Sequence, residues 1–287
     1  MIYPTKTDWL NAPQKRVSFI GMSGLGKTYL SNILRDTGGW YHYSVDYRIG
    51  TRYMGEHIVD DFKRHAMQLP YLRDLLLSDS LYIASNITFE NLAPLSAYLG
   101  KPGNKDVGGI EFEEYMRRQD LHRAAEVAAS IDTVAFIDRA NDVYGYDHFV
   151  CDTSGSICEV VDPLDPTDPV LTALSQNSLI IWLRGTDDHI ETLVQRFNKA
   201  PKPMYSRPEA MRARWNEYLR ISGLEEAGVN PDDFIRWSYR RILDDRLPLY
   251  ASIAENWGLA VDAAALENVR TASDFDAVIA DHLPAAS

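Results

Sequence analysis

Residues 17–34 read VSFIGMSGLGKTYLSNIL, an apolar run, a glycine-rich turn and an amphipathic stretch in succession. Val17, Phe19 and Ile20 form an apolar run of the length of one buried strand, and Tyr29, Leu30, Ile33 and Leu34 recur at helical spacing. Between them, Gly21-Met22-Ser23-Gly24-Leu25-Gly26-Lys27-Thr28 matches G-x-x-x-x-G-K-[ST] at every fixed position. Glycines at those places let backbone N–H groups turn inward around phosphate oxygens, and the following helix directs its positive end at the same spot. The spacing implies a nucleotide held by Gly21, Ser23, Gly24, Leu25, Gly26, Lys27, Thr28 and Tyr29. Lys27 is expected to reach the β- and γ-phosphates, and the Thr28 hydroxyl to ligate Mg²⁺.

Outward from this loop, apolar runs at 16–20, 41–45, 148–152, 179–184 and 258–262 alternate with helical stretches. That alternation predicts a parallel α/β sheet. The chain has 287 residues, 45% hydrophobic and 24% charged, enough for one large α/β domain or a domain with a sizeable insertion. A formal net charge of −12 argues against a broad surface for nucleic acid or anionic membrane. Cys151 and Cys158 are the only cysteines, too few for a disulfide framework, and suggest a reducing compartment. The first residues, MIYPTKTDWLNAPQKR, lack the apolar core of a signal peptide. No apolar run approaches the roughly twenty residues that span a bilayer. A soluble, cytoplasmic protein is expected.

Which nucleotide chemistry follows depends on the other motifs. A guanine-reading N-K-x-D fails at Asn104-Lys105-Asp106-Val107, where valine stands in place of the aspartate. In HFVCDTSGS, Phe149, Val150 and Cys151 lead to Asp152, which can support Mg²⁺, but Thr153 follows where a hydrolytic enzyme carries a water-polarising glutamate. Transfer to an acceptor needs an oriented hydroxyl, cations for the migrating charge, and exclusion of water. In WYHYSVDYRIG a strand is expected to end at Asp46, whose carboxylate can accept a hydroxyl proton, with Arg48 close by. Arg196, Lys199, Lys202 and Arg207 gather among prolines in QRFNKAPKPMYSRPEAM, the composition of a mobile lid over a polyphosphate. Two other readings stay open: an ATPase without a small acceptor, and a non-catalytic nucleotide sensor acting through a protein partner.

These residues together resemble the shikimate kinase branch of the nucleoside-monophosphate-kinase-like P-loop enzymes. The resemblance runs through the loop, the Asp46 strand, SLIIWLRG with its helix DDHIETLVQRF, the Arg207-Pro208 pair, and RLPLYASIAENWGLAVDA, which is similar to an R-x-P-x-Y…A pattern. It covers about two-thirds of the chain, discontinuously. It implies a P-loop NTPase fold: three α/β/α layers with a five-stranded parallel sheet of order 2-3-1-4-5. It implies ATP with Mg²⁺ as cofactors and a small, anionic acceptor. By position, Asp46 matches the carboxylate that orients or deprotonates the acceptor hydroxyl, Arg196 the phosphate-contacting lid arginine, and Arg207 the arginine of an Arg-Pro substrate motif. In MRRQD, Arg117 and Asp120 stand at the spacing of an Arg-x-x-Glu substrate motif. Two departures weigh against shikimate itself. Ser44-Val45-Asp46 replaces Asp-x-Asp, leaving the metal to Thr28, Ser44 or Asp152, and DTSGS replaces a glycine triplet.

The expected division is a nucleotide-binding core of 1–48 and 146–287, with a lid at about 196–208, and a helical insertion of 49–145 that binds the acceptor. Within the insertion, GEHIVDDFKRHAMQLPYLRDLLL reads as helix broken near Pro70, and NITFENLAPLSAYLG as a helix capped by Asn86 or Thr88. KPGNKDVGG reads as a flexible loop carrying Lys101 and Lys105, and FEEYMRRQDLHRAAEVAASI as a strong helix, with His122 a packing or surface group.

Overall fold

The computed structural model describes residues 1–285. Its five strands are β1 (Arg16–Ile20), β2 (Trp40–Ser44), β3 (His148–Asp152), β4 (Leu179–Arg184) and β5 (Gly258–Asp262). All pairs are parallel, and the order is β2-β3-β1-β4-β5. The strands are near-continuous apolar runs because helices cover both faces of the sheet. On one face Val17 and Phe19 pack with Leu30 and Leu34 of the helix Lys27–Gly38 and with Phe275 and Ile279 of the helix Ala272–His282. Each such fully buried side chain contributes about 1.5–3 kcal/mol. On the other face Tyr43 meets Phe136 at 4.8 Å between ring centroids, and Trp182 stacks on Tyr250 at 6.3 Å.

The second strand lies one residue earlier than its apolar run suggests. Gly39, in the left-handed region at φ 67°, ends the preceding helix and lets Trp40 open β2. Val45 then already belongs to a short helix, Val45–Arg48, so Asp46 sits in a first helical turn and not at the end of a strand.

The chain divides into two compact units. The first contains the sheet and comprises residues 1–45, 126–200 and the chain from 236 onward. The second comprises 46–125 and 201–235. Residues 126–145 therefore group with the sheet, to which Phe136 is tied through Tyr43. Residues 201–235 group with the helices after β2, since Trp215 stacks on Phe112 at 4.8 Å and meets Phe234 edge-on.

In the second unit, the helices Gly55–Ala66 and Pro70–Leu77 are separate, as the proline requires. The next helix begins at Ala93, not near Asn86 or Thr88. Residues 81–87 take no regular structure, and the Asn91 side chain accepts from the Ala93 N–H. The loop after it is closed rather than loose: Gly103 N–H donates to Ile110 O and Ile110 N–H to Lys101 O, both at 2.9 Å. Lys101 pairs with Asp232 and Lys105 with Glu111. The helix Phe112–Ile131 forms as its pattern predicts. Among the described residues no helix is long and apolar enough to cross a membrane.

Candidate functional site

The loop 21–28 leaves β1 at the carboxyl end of the sheet, where parallel α/β sheets open a crevice. Gly24 and Gly26 have φ of 92° and 95°, which a side chain rarely tolerates. A Cβ at Gly24 would also stand 2.7 Å from Leu193 Cδ2. Gly26 is the N-cap of the helix Lys27–Gly38 and supplies no capping side chain. The first N–H groups of that helix thus take no hydrogen bond from the cap and suit an anion. Lys27 is buried, its Nζ donating to Gly21 O at 2.9 Å and lying 3.4 Å from Met22 O. A cation curled into its own loop is placed for phosphate oxygens that would replace those carbonyls.

Behind the loop, Thr28 Oγ1 donates to Asp152 Oδ2 at 2.5 Å. Burial pushes the Asp152 carboxyl up from its ordinary range, while Lys27 and the Thr28 hydroxyl pull it down less strongly. Ser44 is the register partner of Asp152 on the neighbouring strand, so Thr28, Asp152 and Ser44 come together. Their oxygens are the donor type a hard divalent cation prefers, and the group fits Mg²⁺. His42 lies two residues before Ser44 on the same face of β2, with Nε2 at 3.9 Å from Asp152 Oδ2. Burial, aided by Arg35 and opposed by Asp36, lowers its pKa to about 4. Its alternation with Ser44 was the available signal for this residue, which motif reading passes over.

A second group, drawn from the DTSGS and R-x-P-x-Y stretches, supports the loop. Thr153 donates twice to Phe19 O, from its backbone N–H at 3.3 Å, which extends the β1–β3 ladder, and from Oγ1 at 2.7 Å. Gly155 then packs so closely on the phosphate loop that a Cβ there would stand 2.1 Å from Ser23 Oγ and 2.9 Å from Ser23 N. The Gly155 carbonyl accepts from Arg246 at 2.6 Å and from the Tyr250 hydroxyl at 2.9 Å. Glu159 accepts from Arg246 Nε at 2.8 Å. Burial is the largest influence on the Arg246 pKa and acts to lower it, but Glu159, Cys158 and Tyr250 together outweigh it and the guanidinium is held charged. Ser154 and Ser156 both donate to the buried Glu126 carboxylate, Ser156 at 2.8 Å. Arg246 and Tyr250 of the R-x-P-x-Y stretch therefore brace the backbone of the DTSGS loop.

Beside Gly24 and Gly26 lies a groove of about 360 Å³, walled by Leu25, Tyr29, Leu30 and Leu266. Tyr29 is half exposed there, free to offer an aromatic face. Arg196 is exposed near the end of the helix Asp187–Lys199.

The other expected acceptor residues belong to the second unit. Asp46 and Arg48 are half-buried in the helix Val45–Arg48, the Arg48 guanidinium 5.7 Å from the Tyr53 ring centre. Arg207 is the N-cap of the helix Pro208–Ser222. Arg117 and Asp120 are exposed, and Arg117 makes two hydrogen bonds to Glu114 at 2.7 and 2.8 Å. The polar residues that turn inward are their neighbours Arg118, Gln119 and His122. Arg118 bonds Asp61 at 3.0 Å and Glu114 at 2.7 Å, and His122 stacks on Tyr205.

No family model matches the chain, and no curated protein does. Among solved structures, it is similar to shikimate kinase from Bacteroides thetaiotaomicron, at 13% identity and a TM-score of 0.37 over 93% of this chain and 94% of that one. The fold stands on the observed sheet order and the phosphate-loop geometry.

Proposed function

We propose that the chain is an ATP- and Mg²⁺-dependent phosphotransferase acting on a small, anionic molecule through a hydroxyl or phosphate group. One observation carries the reading: a fully formed Gly21–Thr28 loop whose Thr28 hydroxyl is bonded to Asp152, beside a groove of nucleoside size. Lys27 and the loop amides hold the phosphates, and Leu25 and Tyr29 border the base. Thr28, Asp152 and Ser44 hold the metal, which when bound offsets charge on the phosphates. Asp46 orients the acceptor hydroxyl and takes its proton. Arg196 offsets negative charge on the phosphoryl group. Arg48, Arg207 and, once released from Glu114, Arg117 bind the anionic part of the acceptor, with Asp120 one turn beyond Arg117. The second unit, residues 46–125 and 201–235, supplies acceptor recognition. Both cysteines are buried thiols, which accords with a cytoplasmic setting.

The test is ADP release with Mg²⁺ and ATP, alone and against a panel of hydroxylated and phosphorylated metabolites. Acceptor-dependent turnover is expected, with a loss of at least a hundredfold in Asp46→Asn and unchanged ATP affinity. Hydrolysis that no acceptor stimulates, or an Asp46→Asn variant with full transfer, would overturn the reading in favour of an ATPase or a nucleotide sensor.

A further inference from the structure

The groove beside the phosphate loop has apolar walls but is not uniformly apolar. His189 and Glu267 bring its ionisable groups. His189 is the third residue of the helix Asp187–Lys199 and takes part in a capping box. The Thr186 side chain accepts from the His189 N–H at 3.3 Å, and His189 Nδ1 accepts from the Thr186 N–H at 3.2 Å. A backbone N–H can only donate, so Nδ1 is the acceptor nitrogen and the proton of the neutral ring sits on Nε2. The cap thus fixes both the tautomer and the direction of the ring.

Nε2 lies 3.6 Å from Glu267 Oε1, beyond hydrogen-bond range. The imidazole N–H and the carboxylate therefore stand side by side, each with capacity for another partner. Their side chains are 34% and 62% exposed, so a ligand in the groove can reach both. Leu25, Leu30 and Leu266 form apolar walls, and Tyr29 adds an aromatic face. Apolar walls with one donor and one acceptor at the edge make a site for a flat heterocycle that carries a neighbouring acceptor and donor.

We propose that Glu267 and His189 are the base-reading pair of this site, specific for a 6-aminopurine. The Glu267 carboxylate accepts from the exocyclic amine, and His189 Nε2–H donates to the adjacent ring nitrogen. A 6-oxopurine seated the same way sets a carbonyl oxygen against the carboxylate and is rejected. The proposal rests on the nucleotide-binding reading above, and it assigns specificity to side chains that lie outside the phosphate loop.

Calorimetric titration with Mg²⁺ tests it, using ATP, inosine triphosphate, guanosine triphosphate and inorganic tripolyphosphate as probes. Tripolyphosphate engages the loop without a base. The wild type is expected to prefer ATP over both 6-oxopurine nucleotides. Glu267→Ala, at an exposed position, is expected to weaken ATP about tenfold and erase that preference, with tripolyphosphate affinity unchanged. Glu267→Gln, whose amide can donate, is expected to improve binding of inosine triphosphate relative to the wild type. An ATP to inosine triphosphate ratio that Glu267→Ala leaves unchanged would overturn the assignment, as would a wild type that does not discriminate. A wild type that binds neither ATP nor tripolyphosphate would overturn the nucleotide reading itself, and this assignment with it.

Discussion

His42 offers a quantitative test of the electrostatics around Asp152. In the folded chain its pKa is lowered to about 4, first by burial, then by Arg35, with Asp36 opposing. In the unfolded chain the imidazole titrates near its ordinary value of 6.5. Below that value the unfolded state takes up a proton that the folded state refuses. The stability conferred by the neutral ring is thus complete above pH 6.5 and is lost as the pH falls toward 4. Linkage gives a loss of about 2 kcal/mol between pH 8 and pH 5, or RT times the logarithm of a thirtyfold ratio of binding polynomials. Urea unfolding of the wild type and His42→Gln at pH 8, 7, 6 and 5 isolates this contribution, because all other groups titrate in both proteins. The stability difference between the two is expected to move by about 2 kcal/mol in favour of the variant as the pH falls. A difference that stays flat to pH 5 would show that burial does not hold the ring neutral. It would mean that Asp152, with its Oδ2 at 3.9 Å from Nε2, captures the proton as an ion pair and cancels the cost of burial.

Asp152 and Gly155 give two further expectations. Burial raises the Asp152 carboxyl in the fold, so its contribution to stability is complete at low pH and is lost as the pH rises through the folded value. Asp152→Asn should therefore raise the melting temperature at pH 7.5 while weakening Mg²⁺-dependent nucleotide binding. A lower melting temperature would show that Lys27 and Thr28 outweigh burial. Gly155→Ala should displace Ser23, which a Cβ would approach to 2.1 Å at Oγ, and weaken ATP binding about tenfold. The double variant with Ser23→Ala should recover part of that affinity, and purely additive losses in nucleotide titrations would count against direct contact.

Much of the sheet was legible residue by residue. Five apolar runs marked strands that are covered on both sides, and such strands need no alternation to be recognised. The shift of β2 to Trp40–Ser44 came from Gly39, whose left-handed turn releases the chain one residue early. The phosphate loop was readable because it is a local structure, with every essential residue inside eight positions. The acceptor side was less readable. Arg117 and Asp120 matched a spacing, yet each residue turns a helix by about 100°, and it is Arg118, Gln119 and His122 that face inward. Pattern spacing identifies a face of a helix, but only packing selects which face is covered.

The loop, the parallel α/β class and the helix Phe112–Ile131 are written in the order of residues alone, because each follows from near-neighbour periodicity and glycine geometry. Folding in three dimensions sets His42 beside Asp152 and Gly155 against Ser23, pairs Arg246 with Glu159, and brings His189 and Glu267 to one groove. Those partners lie about eighty to more than a hundred residues apart. Their meeting depends on strand order and on which faces are buried together, and no local pattern of period 2 or 3.6 encodes either.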